Sequence, residues 1–170
     1  MFRHMGRRYG DRGPFGRRNP GPEPVGVRQG TGMVGYSGTP LTAKLGIKEG
    51  SRLALLGAPK GFDRVLAPLP DGVRVLRRLG PGLDVAVLFV TSRRELERRF
   101  PAVARSITPA GGFWVAWPKR ASKVPTDLTE NVLREVGLPR GLVDNKVCAV
   151  DEVWSGLRFV WRKENRPALR

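Results

Sequence analysis

The sequence predicts an α/β sandwich of three layers, in which a mostly parallel sheet ends in an antiparallel strand pair. Asp84–Val90 is wholly apolar after its first residue, as expected of a central parallel strand that is buried on both faces. Segments of strand and helix character alternate at intervals too long for hairpins, which favours helices on both faces of one sheet. Lys146–Val150 and Leu157–Trp161 flank the turn-like stretch Trp154–Gly156 and supply the antiparallel pair.

Three segments of regular structure precede the central strand. Thr39 is a predicted N-cap and Pro40 the first residue of a short helix, which Gly46 ends. Arg52–Gly57 is a short apolar run typical of a buried strand, and Val73–Leu79 alternates between apolar and charged residues. We expect both segments to join the sheet.

Two longer helices are predicted after the central strand. Ser92 and Glu95 form a capping box, and apolar residues follow it at helical spacing. Pro101 is expected to kink or divide this helix. After a further strand at Phe113–Trp117, a second helix is predicted from Asp127 to Val136, with its apolar residues along one side.

Charge is the most unusual property of the chain. Its 170 residues include 31 Lys and Arg against 15 Asp and Glu, which gives a formal charge of +16 and a pI near 11.5. Such a balance favours polyanionic partners, namely nucleic acid, ribosomal surfaces or anionic lipid. No apolar run approaches the ~20 residues that a membrane-spanning helix requires, and no secretory signal is recognisable. We therefore expect a cytoplasmic protein that does not enter membranes.

Histidine and cysteine are almost absent, which reduces the number of catalytic mechanisms and metal sites that the chain can form. The only histidine is His4 and the only cysteine is Cys148, so an internal disulfide and a His- or Cys-rich metal site are excluded. Cys148 lies in a β-like apolar run and is expected to act as a small buried hydrophobe. A Ser-His-Asp triad within the domain is excluded, and no pair of carboxylates is obviously placed for acid–base work. We predict no catalytic residue and no metal.

The N-terminal segment differs in composition from the rest. Residues 1–32 contain eight Gly, four Pro and seven Arg. We expect a disordered basic tail at residues 1–34, the folded domain at 35–163 and a basic C-terminal tail at 164–170. Arginine interleaved with glycine and single aromatics suits RNA or single-strand binding. The alternative is translation of a GC-rich upstream region, with Met33 as the true start. The tail residues predicted to bind nucleic acid are Arg7, Arg8, Tyr9, Phe15, Arg17 and Arg18.

The loops that follow the parallel strands carry basic residues. Ligands of open α/β sheets gather beyond the carboxyl ends of the strands, so these side chains are expected to form a cleft for a phosphate, a carboxylate or a nucleic-acid backbone. Helix starts near Ser92 and Thr126 would direct N–H groups to the same edge. The alternative is that a protein of this charge has Lys and Arg in nearly every loop. The predicted ligand-binding residues are Gly57, Lys60, Gly61, Arg77, Arg78, Ser92, Arg93, Trp117, Lys119, Arg120, Lys123 and Asp127.

Two of these loops bear on cofactor binding. The stretch Gly57–Gly61 fails the G-x-G-x-x-G spacing of dinucleotide loops, and its proline lacks an N–H group that would bind phosphate. Arg77 and Arg78 stand where a dinucleotide fold usually has an acid for the ribose, and an arginine there suits a 2′-phosphate. Trp117, at a strand end, can stack on a base. Asp127 either orients the basic loop or caps a helix.

Five stretches resemble a family of small bacterial proteins known only as a domain of unknown function. The resemblance covers roughly residues 35–163, and it implies a bacterial origin and a cytoplasmic setting without implying an activity. The stretches are GYSGTPLTAKLGI, LLGAPKGF, LFVTSRRELERRFP, GGFWVAWPKRASKVPTDLTE and GLVDNKVCAVDEVWSGLRFV.

More distantly, Asp84–Val90, the helix after it, ITPAGGFWVAWPK and the closing strand pair are similar to the second half of class I methyltransferases. This similarity implies a Rossmann-like sheet that ends in an antiparallel hairpin. Those enzymes typically have an acidic residue and a glycine-rich loop after the first strand, where this chain has Gly57–Gly61. They also use an acid on the ribose, where this chain has Arg77. Binding of S-adenosylmethionine in the usual manner is therefore not expected, and no cofactor is predicted.

The favoured functional prediction is a non-catalytic binding or regulatory module that takes a phosphate-bearing or polyanionic partner at the basic cleft. The first alternative is an enzyme, methyltransferase-like or dependent on a nucleotide cofactor, with an atypical pocket at residues 57–61, 77–78 and 118–123. The second alternative is an RNA- or DNA-associated protein that binds through its Arg/Gly-rich tail. Protein partners are not predicted.

Overall fold

One six-stranded sheet organises residues 38–166, the part of the chain that the computed structural model describes. Its strands are β1 (Arg52–Leu56), β2 (Arg74–Leu76), β3 (Leu83–Phe89), β4 (Ile107–Pro118), β5 (Leu142–Ala149) and β6 (Trp154–Trp161). The strand order across the sheet is β2-β1-β3-β4-β6-β5. The first four strands of this order run parallel, β6 is antiparallel to β4, and β5 is antiparallel to β6.

Helices cover both faces of this sheet. They are α1 (Leu41–Leu45), α2 (Phe62–Leu66), α3 (Arg93–Ser106) and α4 (Glu130–Gly137). α1 ends at Gly46, whose φ of 78° is in the left-handed region that glycine adopts without strain. α3 begins after Ser92, whose hydroxyl accepts a hydrogen bond from Glu95 N, as the capping box predicted. No helix between residues 38 and 166 has both the length and the apolar character needed to cross a bilayer.

The face of the sheet under α3 and α4 carries the larger apolar core. Phe100 of α3 packs against Phe113 of β4 and Phe159 of β6, with ring centroids 4.8 and 5.3 Å away. Leu133 of α4 joins the same cluster and is fully buried. This layer explains the apolar stripes that the sequence shows along both long helices.

The face under α1 and α2 carries a second core. Leu45 of α1 is fully buried there, and its carbonyl oxygen accepts a hydrogen bond from Nε1 of the buried Trp114. Phe89, at the end of β3, packs edge-on against Phe62 of α2 and Trp154 of β6, with centroids 4.9 and 5.1 Å away. The two cores together bury both sides of the central strands.

The predicted fold class is confirmed, and each of the six predicted strand segments corresponds to a strand of the sheet. β4 begins earlier than expected, because Ile107 already pairs with Leu83 of β3. α3 runs unbroken through Pro101, so the expected division of this helix does not occur. A proline costs a helix interior about 3 kcal/mol, and burial of Phe100 and Val103 on the core side offsets that cost.

Gly137→Ala is expected to destabilise the fold by about 1–3 kcal/mol. A Cβ at residue 137 would lie 2.8 Å from Cζ of Phe159, a fully buried ring. Chemical denaturation followed by tryptophan fluorescence measures the change. Gly80→Ala is the matched control, since a Cβ there meets no atom within 4 Å. Equal free energies of unfolding for the two variants would contradict the packing argument.

Candidate functional site

The carboxyl ends of the four parallel strands lie along one side of the sheet, which we call the carboxyl edge. The structure divides the predicted ligand-binding residues into three groups along this edge. One group surrounds the ends of β1 and β2, one lies at the start of α3, and one follows β4. Hydrogen bonds that involve Asp127 and Thr126 connect the second group with the third.

The group after β4 lines a cleft of about 570 Å³, which we call the β4 cleft. Trp117, Lys119, Arg120 and Lys123 all line it. Trp117 is only 8% exposed, so little of this residue is available to stack on a base. The basic loop therefore forms one wall of a real concavity.

Hydrogen bonds to neighbouring loops hold this wall in place. The Thr126 hydroxyl donates to the carbonyl oxygen of Thr91 at 2.6 Å and accepts from Leu128 N at 3.0 Å. The Asp127 carboxylate accepts from the backbone N–H of Arg93 at 2.8 Å. Asp127 precedes α4, which begins at Glu130, so it serves the start of α3 instead of its own helix. Its role in this structure is to tie the basic loop to α3.

The cations of the β4 cleft are not equally free. The Lys119 ammonium donates to the carbonyl oxygen of Asp151 at 2.5 Å and so supports the turn before β6. Arg120 and Lys123 are exposed. Glu130 is the single carboxylate among the described residues that line the cleft, and it is paired with Arg134. The cleft thus presents a net positive surface to solvent.

The loop after β1 is bracketed by two glycines in the left-handed region. Gly57 has φ of 70° and Gly61 has φ of 80°. A Cβ at Gly57 would lie 3.1 Å from the carbonyl oxygen of Phe89, so glycine lets this loop approach the end of β3. Lys60 between them is exposed. The loop leads directly into α2, a five-residue helix that the sequence analysis missed because one turn is too short to show a period.

Arg77, which follows β2, forms an ion pair with Asp63. Its Nη2 lies 2.5 Å from both carboxylate oxygens of Asp63 in the first turn of α2. Arg78 is exposed beside it. The Asp63 carboxylate beside this guanidinium would repel a 2′-phosphate. Asp63 itself was not predicted as a site residue, and its proximity to β2 depends on the tertiary fold.

The residues at the start of α3 also form hydrogen bonds within the protein. Ser92 caps α3. Arg93 binds the carboxylates of Glu97 at 2.8 Å and Glu135 at 2.6 Å, and these hydrogen bonds raise the pKa of its guanidinium. The Arg93 side chain therefore links α3 to α4 instead of facing a ligand.

The tail residues predicted to bind nucleic acid, from Arg7 to Arg18, lie outside the described residues. Within residues 38–166 there is no cluster of His, Cys, Asp and Glu side chains that could hold a metal ion. Cys148 is partly buried and packs against the core on the α1 side.

Several solved structures share this fold at low sequence identity. The fibrillarin pre-rRNA processing protein of Methanococcus jannaschii has a TM-score of 0.52 at 15% identity, over 75% of this chain and 70% of its own. A SAM-dependent methyltransferase from Aquifex aeolicus has a TM-score of 0.51 at 13% identity, over 70% and 86%. DhpI in complex with SAH has a TM-score of 0.51 at 12% identity, over 72% and 82%. No protein-family model and no curated protein sequence matches the chain.

These similarities define a Rossmann-like fold of the kind found in SAM-dependent methyltransferases. They overturn the prediction of a non-catalytic binding module and favour the methyltransferase-like alternative. They also count against the prediction of no cofactor, since structures with this fold include a SAM-dependent enzyme and a SAH complex. The lack of histidine in the domain and the position of Arg77 do not decide between the two functions, and Arg77 is paired with Asp63.

Burial raises the pKa of the Cys148 thiol above its ordinary value, although Lys44 and Lys119 act in the opposite direction. Only the thiolate is nucleophilic, so alkylation of the native protein by iodoacetamide should require a higher pH than alkylation of the urea-unfolded chain. Mass spectrometry gives the alkylation rate as a function of pH, and the pH at which the rate is half-maximal is compared between the native and the unfolded protein. A native midpoint at or below the unfolded one would contradict this prediction.

Proposed function

We propose that this chain is a methyltransferase that uses S-adenosylmethionine. The observation that carries the proposal is a glycine-bracketed loop with a neighbouring carboxylate, Asp63, at the carboxyl edge of a methyltransferase-like sheet. Ligands of open α/β sheets bind at this edge. We also propose a cytoplasmic location.

The loop after β1 suits a bound adenosyl cofactor. Gly57 and Gly61 are both exposed, and a Cβ at Gly61 would meet no atom within 4 Å. Free space therefore adjoins the backbone of the loop, where a ligand can approach closely. The proline in the loop removes one N–H donor and leaves those of the other residues.

Asp63 suits the ribose of the same cofactor. A carboxylate has about four lone-pair sites, so the two contacts from Arg77 leave sites for the two ribose hydroxyls. Arg77 then acts as a positioning residue, because it fixes the orientation of the acid. The pair also supports an adenosyl cofactor over one with a 2′-phosphate, since the carboxylate would repel that phosphate.

The β4 cleft suits the methyl-accepting substrate. When bound, S-adenosylmethionine supplies an activated methyl group. β3 separates β1 from β4, and neighbouring strands lie about 4.8 Å apart, so the two strand ends are about 10 Å from each other. A substrate in the cleft would lie next to the loop after β1, with Thr126 and Thr91 holding the wall between them.

The charge of the cleft favours a substrate that bears phosphates. Arg120 and Lys123 are exposed cations on its wall, and the whole chain carries a formal charge of +16. RNA is the polyanion we propose, and one of the proteins that share the fold is a pre-rRNA processing protein. Residues 38–166 contain no histidine, so a substrate that loses a proton would release it to water.

S-adenosylmethionine at 100 times its dissociation constant is expected to raise the free energy of unfolding by about 2.7 kcal/mol. Asp63→Asn should weaken binding by roughly 10- to 100-fold, because a hydrogen bond to a charged group contributes about 1.5–3 kcal/mol. Thermal unfolding and calorimetric titration measure the two effects.

Asp71→Asn is the control for this test, because Asp71 is an exposed acid outside the loop and its side chain lies in no described site. The exposed Asp63–Arg77 pair contributes about 0–1 kcal/mol to stability, so Asp63→Asn should remain folded. Failure of S-adenosylmethionine to stabilise the wild-type protein at millimolar concentration would refute the proposal.

Arg120→Ala combined with Lys123→Ala is expected to weaken binding of short single-stranded RNA and to reduce its salt dependence. Each lost phosphate contact should lower the log–log slope by about 0.7. Fluorescence anisotropy at several salt concentrations gives this slope. Arg98→Ala, which removes an exposed arginine of α3, should leave the affinity almost unchanged. An equal effect of the control and the double variant would show that binding reflects net charge alone.

A further inference from the structure

A second basic pocket lies at the opposite edge of the sheet, where β3 and β4 begin. We call it the amino-edge pocket, and its volume is about 440 Å³. Its acids are Glu49 and Asp84, and Asp84 already accepts a hydrogen bond from Arg52 N at 2.8 Å. Its basic residues are Lys44, Lys48, Lys146 and Arg158.

Arg158 is built into the wall of this pocket. It lies on β6, opposite Trp114 of β4 and Lys146 of β5. A Cβ at Gly112 would lie 2.5 Å from its Nε and 2.9 Å from its Nη2. The guanidinium therefore lies directly against the backbone of β4, in a space that any side chain at residue 112 would fill. Its position is fixed by the sheet and does not depend on a mobile surface loop.

Arg158 also differs in its charge environment from Arg93 and Arg134, two other partly buried arginines. Arg93 is paired with two acids, and so is Arg134, which binds Glu130 and Asp144. In the described part of the chain Arg158 has no such partner, and burial lowers the pKa of its guanidinium. A partly buried cation without an anion is unfavourable. Arg158 therefore lacks an anionic partner, which a bound ligand would supply.

The neighbouring lysines extend this positive surface. Lys44 and Lys146 line both the amino-edge pocket and an adjoining depression over Val147 and Cys148. Val147 is 54% exposed, so none of the helices between residues 38 and 166 covers this part of the sheet. The N-terminal segment is an unsuitable source of the missing anion, since residues 1–32 contain seven Arg against two acids.

We propose that the amino-edge pocket binds a phosphate group between Arg158, Lys44 and Lys146. A guanidinium binds two phosphate oxygens in parallel, and each ammonium adds a point charge. The phosphate belongs either to a small phosphorylated molecule or to a nucleic-acid backbone. Because this pocket and the carboxyl edge lie at opposite ends of the strands, the inference does not depend on the proposed methyltransferase function.

The test uses the full chain with inorganic pyrophosphate as the probe, in calorimetric titrations at low salt. Arg158→Met retains an unbranched side chain against β4 and is expected to weaken binding about tenfold or more, since it removes the bidentate donor. Lys146→Met changes an exposed residue and should weaken binding several-fold without affecting folding. Arg105→Met, which changes an exposed arginine near the end of α3 on the other face, should leave affinity unchanged.

A second arm separates the two sources of phosphate. If the ligand is a nucleic-acid backbone, Arg158→Met lowers the affinity for short single-stranded RNA as well. If it is a small phosphorylated molecule, RNA affinity stays at the wild-type value while pyrophosphate affinity falls. The absence of pyrophosphate binding at millimolar concentration, or binding that neither Arg158→Met nor Lys146→Met weakens, overturns the proposal. Titration with S-adenosylmethionine is a separate measurement, so either proposal can fail alone.

Discussion

Burial of β3 on both faces is the constraint on which the rest of the structure depends. Val85–Phe89 are almost inaccessible to solvent, and their backbone groups bond to β1 on one side and β4 on the other. A strand in this position requires an apolar layer above and below the sheet, which the helices supply. Charged groups are too costly within those layers. They are displaced to the ends of the strands, and the two basic pockets lie there.

The same apolar layers connect the parts of the carboxyl edge. The Phe89 ring packs between Phe62, which follows the glycine-bracketed loop, and Trp154, which begins β6. The turn before Trp154 holds the Lys119 ammonium through the carbonyl of Asp151. The loop after β1 and the β4 cleft therefore share one aromatic support at the end of β3. A change in the packing of Phe89 would act on both, although its ring is buried.

Sequence patterns were sufficient for elements whose residues repeat with a period, and insufficient for contacts between distant residues. The strands and long helices were predictable because burial repeats along them. Trp117, Lys119, Arg120 and Lys123 of the β4 cleft were predicted together because they lie close together in the sequence. The pairing of Arg77 with Asp63 was not, since it requires α2, a single turn without a periodic signal. Arg158 was missed because it appears in the sequence as an ordinary strand arginine, and only the fold shows Gly112 beneath it.

The structure also resolves a difficulty that the high net charge creates. In a protein of formal charge +16, a basic residue in a loop carries little information, because such residues occur in most loops. Pairing with acids distinguishes the basic residues that stabilise the fold from those that are available to a ligand. Arg77, Arg93 and Arg134 are each bonded to carboxylates and serve the fold. In the described part of the chain, the cations without such partners include Arg120 and Lys123 at one edge and Arg158 at the other. In each pocket the basic residues outnumber the acids, and some of these cations have no carboxylate partner in the described part of the chain. This property, unlike net charge, is local enough to bind a particular ligand.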